Sequence, residues 1–153
     1  MNAQAQRDVK TAFEAYTKAA LQAMLNYAAP IAGIDRMWVY TDMGYEAIET
    51  APFFRHQGDF VDHGDLAEMD PDGDHDQFEL MRSFKTTGLK LVRACRAAGA
   101  VPERIITTYD PQTGELESQW DYEGVKIGED DTYGRARDRW IRSMGGKPIF
   151  AKE

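Results

Sequence analysis

Nine carboxylates fall between Asp59 and Glu79, and no lysine or arginine occurs from His56 to Met81. Like charges at this density repel one another, and Gly58, Gly64, Pro71 and Gly73 interrupt any regular element, so the spacing predicts a long exposed loop over about 57–76. The nine acids exceed the chain's net charge of −8, so the remaining residues sum to +1 and the acidity is concentrated in one place. A field of one sign attracts a cationic partner from a distance and repels DNA, RNA and anionic membrane. The segment is therefore expected on or near a surface that meets a basic protein.

The flanking sequence carries the means to fold. At 153 residues, 42% hydrophobic with 17 aromatics, the chain fits a single domain spanning 1–153 that buries a core without disulfides or structural metal. Met1 to Lys10 is polar, and no apolar run approaches the roughly 20 residues of a membrane helix, so neither a signal peptide nor a membrane partner is expected. Cys95 is the only cysteine and falls at an apolar position of a helical pattern, which suits a buried thiol in a reducing cytoplasm.

Periodicity supplies the order of elements. Phe13, Tyr16, Ala20, Met24 and Tyr27 predict a helix over about 5–28, ended by Pro30 and Gly33. Ile34 to Tyr40 reads as a strand, with a turn at Asp42-Met43-Gly44. Tyr45 to Thr50 and Pro52 to His56 read as one or two more, Pro52 marking an edge, bulge or break. Asp76 is the expected N-cap of a second helix, with Glu79 placed to bond back to the cap amide. That helix carries Phe78, Met81, Phe84, Gly88, Leu91, Cys95 and Ala98 on one face and stops at Gly99 and Pro102. Ile105–Tyr109 and Leu116–Tyr122 flank Asp110-Pro111-Gln112-Thr113-Gly114 as a hairpin. A final helix over about 132–144 directs Tyr133, Ala136, Trp140 and Met144 inward and Arg135, Arg139 and Arg142 outward. Strands paired between helices predict an α+β fold. Its antiparallel sheet, a meander plus a C-terminal hairpin, packs with N-terminal, central and C-terminal helices.

Catalytic motifs are nearly lacking. Asp70, Asp72, Asp74 and Asp76 alternate as in a calcium loop, but the positions that need glycine and a bidentate glutamate hold His75 and Met81. His56, His63 and His75 lie among Asp59, Asp62 and Asp65 and could ligate a transition metal for a hydrolase. None of the recognised ligand spacings is present, which favours surface histidines in a charged loop. No glycine-rich phosphate loop follows a strand, no serine sits in a nucleophile elbow, and Cys95 lacks a nearby base. No cofactor and no enzymatic activity are expected. Trp38, Trp120 and Trp140 read as core, whereas Tyr45, Phe53 and Phe54 are candidate interface aromatics, because they precede the acidic segment and Phe53 and Phe54 are not expected both to point inward from a regular strand.

Arg104-Ile-Ile-Thr-Thr-Tyr-Asp-Pro-Gln-Thr-Gly114, continuing Glu-Leu-Glu-Ser-Gln-Trp-Asp-Tyr-Glu123, then Arg135 to Trp140, resembles the YezG-like immunity proteins of bacterial polymorphic toxin systems. The resemblance covers the last third of the chain and, beyond it, the order of elements. It implies a small cytoplasmic protein that binds and neutralises a cognate toxin domain, often a nuclease, with Trp120, Tyr122 and Trp140 defining the fold. The acidic insertion departs from the family pattern, so binding residues are argued from charge.

The expected function is stoichiometric inhibition of a basic toxin domain, with Asp59, Asp62, Asp65, Glu68, Asp70, Asp72 and Asp74 as the electrostatic footprint and Phe53 and Phe54 as anchors. Complementary charge would raise the association rate towards about 10⁸ M⁻¹s⁻¹ at low salt. Two alternatives use the same residues: a metal-dependent hydrolase built on the His/Asp-rich loop, and a regulatory module that binds a basic peptide or polymerase subunit.

Overall fold

Asn2 caps the first helix through its side chain, which accepts a 2.7 Å hydrogen bond from the Ala5 amide. The computed structural model describes residues 2–45 and 47–149. Helix α1 (Ala3–Ala28) buries Tyr16, Ala20, Met24 and Tyr27, the face expected from their spacing. This face lies across an antiparallel sheet, and the Tyr16 hydroxyl meets Thr41 Oγ1 at 2.7 Å in the interior.

The sheet joins β1 (Ile34–Asp42), β2 (Glu49–His56), β3 (Asp59–Asp62), β4 (Arg104–Tyr109) and β5 (Leu116–Asp121) in the order β3-β2-β1-β4-β5. The meander and the C-terminal hairpin are one sheet, because β1 pairs with both β2 and β4. Among the described residues from Tyr45 to Thr50, strand begins at Glu49. Pro52 sits one residue past the last position of β2 that β3 reaches, so its missing N–H falls where the outer side of β2 is open.

Both faces of the sheet are covered, and this decides where the aromatics go. Met37, Val39, Phe54 and Ile105 face α1 and the central helices, while Trp38, Tyr40, Phe53 and Ile106 face the last helix. Phe53 and Phe54 are therefore both buried, at 1% and 0% exposure, on opposite faces of one regular strand. The expectation that they anchor an interface is corrected: they are core residues.

The acidic segment is mostly regular structure, which corrects the long loop expected over 57–76. Gln57 and Gly58 take positive φ angles of 50° and 87°, a two-residue turn that folds β3 back on β2. Asp62 then caps helix α2 (His63–Met69), and irregular chain is confined to 70–76. Local capping bonds and cross-strand pairing outweigh repulsion between carboxylates that remain at the solvent boundary.

The central helix is two helices, α3 (Gln77–Arg82) and α4 (Lys85–Ala98). Asp76 does cap α3, accepting from the Glu79 amide at 2.9 Å, but the Glu79 side chain turns to Arg82 instead of back to the cap. Ser83 Oγ donates to the Glu79 carbonyl at 2.9 Å as the helix ends. The break shifts the helical phase, so Leu80 is buried and Phe78, expected inside, is 76% exposed. Gly88 brings α4 close to α1: a Cβ there would stand 3.4 Å from the Tyr16 ring. Gly99, at φ 74°, ends α4 in the left-handed conformation, with the Ala100 amide returning to the Cys95 carbonyl.

Helix α5 (Tyr133–Ser143) is capped by Thr132 and closes the second face with Ala136, Trp140 and Ile141. Met144, expected inward, is 36% exposed. Arg139, expected outward, reaches back to Asp131 at 3.0 Å and the Val125 carbonyl at 3.1 Å.

Candidate protein-binding face

Strand alternation sets the acidic residues at the edge of the sheet. In β3, Phe60 stacks on Phe53 with centroids 5.1 Å apart and also meets Trp38 at 5.1 Å, while Val61 pairs with Phe54 on the other face. Asp59 stays exposed before them, and Asp62 ends the strand. The Asp65 amide donates to Asp62 Oδ1 at 2.8 Å, and the Asp62 amide donates to Asp65 Oδ2 at 3.1 Å. This reciprocal box gives both carboxylates a fixed direction and sets negative charge at the positive end of α2.

Tyr27 ties the segment to α1 at two points. Its hydroxyl donates to the His63 carbonyl at 2.7 Å, and its own carbonyl lies 2.8 Å from His75 Nδ1. Burial pushes the Tyr27 phenol up to about 12, so it remains a donor at neutral pH. The opposite ring nitrogen of His75 lies 2.8 Å from Asp70 Oδ2, and this side chain is only 3% exposed. The expectation of a solvated surface histidine is corrected at this position. Gly73 packs over the same pair, and a Cβ added there would overlap both Asp70 Oδ2 and His75 Nε2.

The acids meet in a groove of about 540 Å³ whose acidic wall carries Asp59, Asp62, Asp65 and Glu68. Phe60 and Met69 add apolar surface, and the segment from Gly145 to Lys147 forms the facing wall. Gly146 makes this approach possible, since a Cβ there would overlap the Phe60 ring and crowd Ile141. Lys147 brings one positive charge to an otherwise acidic lining. Asp72 and Asp74 are exposed farther along, and Asp74 joins Asp76 and Glu79 around a smaller hollow of about 220 Å³ beside Tyr27.

Of the residues expected from charge, Asp59, Asp62, Asp65 and Glu68 are brought together, whereas Asp70, Asp72 and Asp74 lie outside the groove. His56 lies apart in β2, whereas His63 at the start of α2 and His75 in the 70–76 segment both pack edge-on against the Tyr27 ring. Among the described residues, no three His, Cys, Asp or Glu side chains gather as a metal-holding group. Sequence reasoning missed Phe60, Met69 and the 145–147 wall. Phe60 was legible in principle, as the apolar partner of Val61 in an alternating strand.

A second polar cluster, also missed, lies inside the fold at the end of β1. Asp42 is fully buried, accepts the Gly44 amide at 3.0 Å through Oδ1, and stands across from Glu49 and Arg104 in the ladder. Burial, with Glu103 and Glu49 adding to it, pushes its carboxyl up to about 6 against the pull of the Gly44 amide and Arg104. Tyr40 on the same face is fully buried, and burial raises its phenol too. Arg104 itself pairs with Asp121 at 2.9 Å.

No family model matches the chain, and no curated protein matches it significantly. Among the described residues, no helix is long and apolar enough to cross a membrane.

Proposed function

We propose that this chain is an immunity protein, an antitoxin that binds a basic toxin domain one to one and occludes it in the cytoplasm of the cell that makes both. One observation carries the reading: Asp59, Asp62, Asp65 and Glu68 line one groove, and two of them are held by a capping box. Carboxylates fixed before the partner arrives, as Asp62 and Asp65 are, lose little conformational entropy on binding, and the acidic rim steers a cationic partner during approach. A nuclease cleft built to hold phosphates offers the complementary charge. The groove's apolar surface at Phe60 and Met69, with the buried Phe53 ring at its base, would provide the slow-release part of the contact, while Phe54 lies outside the groove. In this reading the chain performs no chemistry of its own.

The test is co-purification with the product of the adjacent reading frame, followed by rescue of growth when that product is expressed. The Asp59→Asn/Glu68→Gln pair is expected to lower the association rate by tenfold or more and to flatten its salt dependence. Full protection by a variant with all four groove acids neutralised would remove the groove from the mechanism.

A further inference from the structure

The two edges of the sheet are treated differently. β3 is four residues long and runs straight into α2, so its outer side is short and followed by a helix. β5 is six residues long, contains neither proline nor lysine, and pairs with β4 without a register shift. Its residues from Leu116 to Gln119 are exposed, and no other strand pairs with it among the described residues. Natural edges are blunted by shortness, proline, bulges, cover or charged side chains, lysine above all, and of these β5 carries only the carboxylates Glu117 and Asp121.

The hydrogen bonding sets which backbone groups are free. The Asp110 amide donates to the Glu115 carbonyl at 2.9 Å, so Glu115, Glu117, Gln119 and Asp121 direct their backbone groups towards β4. Alternation then leaves the N–H and C=O groups of Leu116, Ser118 and Trp120 facing outward. Acids predominate around this edge: Arg36, which lines a hollow with Glu115 and Glu117, is paired with Asp110, and Arg104 is paired with Asp121. From Ile105 to Val125 there is no lysine or arginine, and among the described residues Glu115, Glu117 and Glu123 form no ion pair. Leu116 and Tyr122, 46% and 53% exposed, offer apolar contact at the two ends.

We propose that the open edge of β5 docks an extended, basic segment of a partner protein, which adds to the sheet as a sixth strand. Main-chain bonds to Leu116, Ser118 and Trp120 supply the affinity, and lysines or arginines beside Glu115, Glu117 and Glu123 supply the selectivity. A second copy of this chain is disfavoured, because pairing β5 with itself sets those acids against one another. The surface lies at the opposite edge from the groove and stands whether or not that groove binds a toxin.

The probe is a synthetic peptide of alternating lysine and valine, added at millimolar concentration to the full chain, with amide hydrogen exchange read residue by residue. The expected result is slowing by about tenfold or more at Leu116, Ser118 and Trp120, with an alternating glutamate and valine peptide without effect. Ser118→Pro removes an outward N–H and is expected to abolish the slowing while the β4 amides stay protected. If that variant loses β4 protection, Glu115→Lys/Glu117→Lys carries the test and is expected to favour the glutamate peptide. No slowing at the three amides, or equal slowing by both peptides, overturns the proposal. So does slowing that rises with protein concentration alone, which would assign the edge to a second copy.

Discussion

His75 and Tyr27 hold the acidic segment against the first helix: Nδ1 of the histidine lies 2.8 Å from the tyrosine carbonyl, and their rings meet edge-on at 5.1 Å. The carbonyl and the Asp70 carboxylate on the other nitrogen are both acceptors, so the ring bonds both fully only when it carries two protons. His75→Ala is expected to cost about 1–3 kcal/mol, and Gly73→Ala to disturb the same pair by steric overlap. Thermal denaturation should fall by about 2–4 °C per kcal/mol. Hydrogen exchange should quicken between 70 and 79 while the β1 amides remain protected, and uniform loss of protection would contradict a local strut.

Asp42 predicts a pH dependence of definite sign. Its folded value of about 6 lies above the ordinary 3.8, so the folded state holds the proton more tightly than the unfolded chain. The resulting stabilisation is fully present below 3.8 and is lost as pH rises through about 6. Asp131, held well below the usual range by Arg139, acts in the opposite sense and stays charged through that window. Asp42→Asn keeps an acceptor for the Gly44 amide and is expected to raise stability at neutral pH by about 1–3 kcal/mol. Urea titrations at several pH values should show the slope near 6 vanish in the variant.

The capping box and the groove share residues, so stability and binding have to be separated. Asp62→Ala and Asp65→Ala should each cost about 1 kcal/mol, and the double variant less than the sum, because one box is lost only once. Asp59→Asn and Glu68→Gln, at exposed positions, should leave denaturation midpoints unchanged within about 0.5 kcal/mol.

Phe53→Ala and Phe54→Ala are expected to destabilise by about 3–5 kcal/mol each, through the cavities left on the two faces of β2. Chemical denaturation measures this directly. A variant with native stability but weakened partner binding would restore the discarded view of these rings as anchors.

Much of the architecture was legible because period and punctuation agreed. The α1 face, the Gly114 hairpin and the Gly99 cap each joined a hydrophobic repeat to a residue with the required backbone freedom. The misreadings share a cause, which is that local signals do not report what lies on the far side. Phe53-Phe54 looked one-sided because nothing in β2 announces that α5 covers its second face. The run from Asp59 to Met69 looked structureless because charge repulsion was weighed without the Asp62–Asp65 box, although its spacing matches the one recognised at Asp76–Glu79. The groove's far wall comes from residues more than 70 positions away along the chain, and no window on the sequence joins Gly146 to Phe60.

The tight reversal at Gln57-Gly58 has an evolutionary corollary. One residue gained there would carry Phe60 off the face it shares with Trp38 and Phe53 and drive Asp59 into its place, so the length of the bend is constrained while the acids around it remain free to vary. A lineage can retune the charge of this rim by point substitution, yet it cannot lengthen the bend without forfeiting the strand. Diversity among descendants should therefore appear as swaps of side chain along the rim, and insertions should collect at the roomier bend between Asp110 and Glu115.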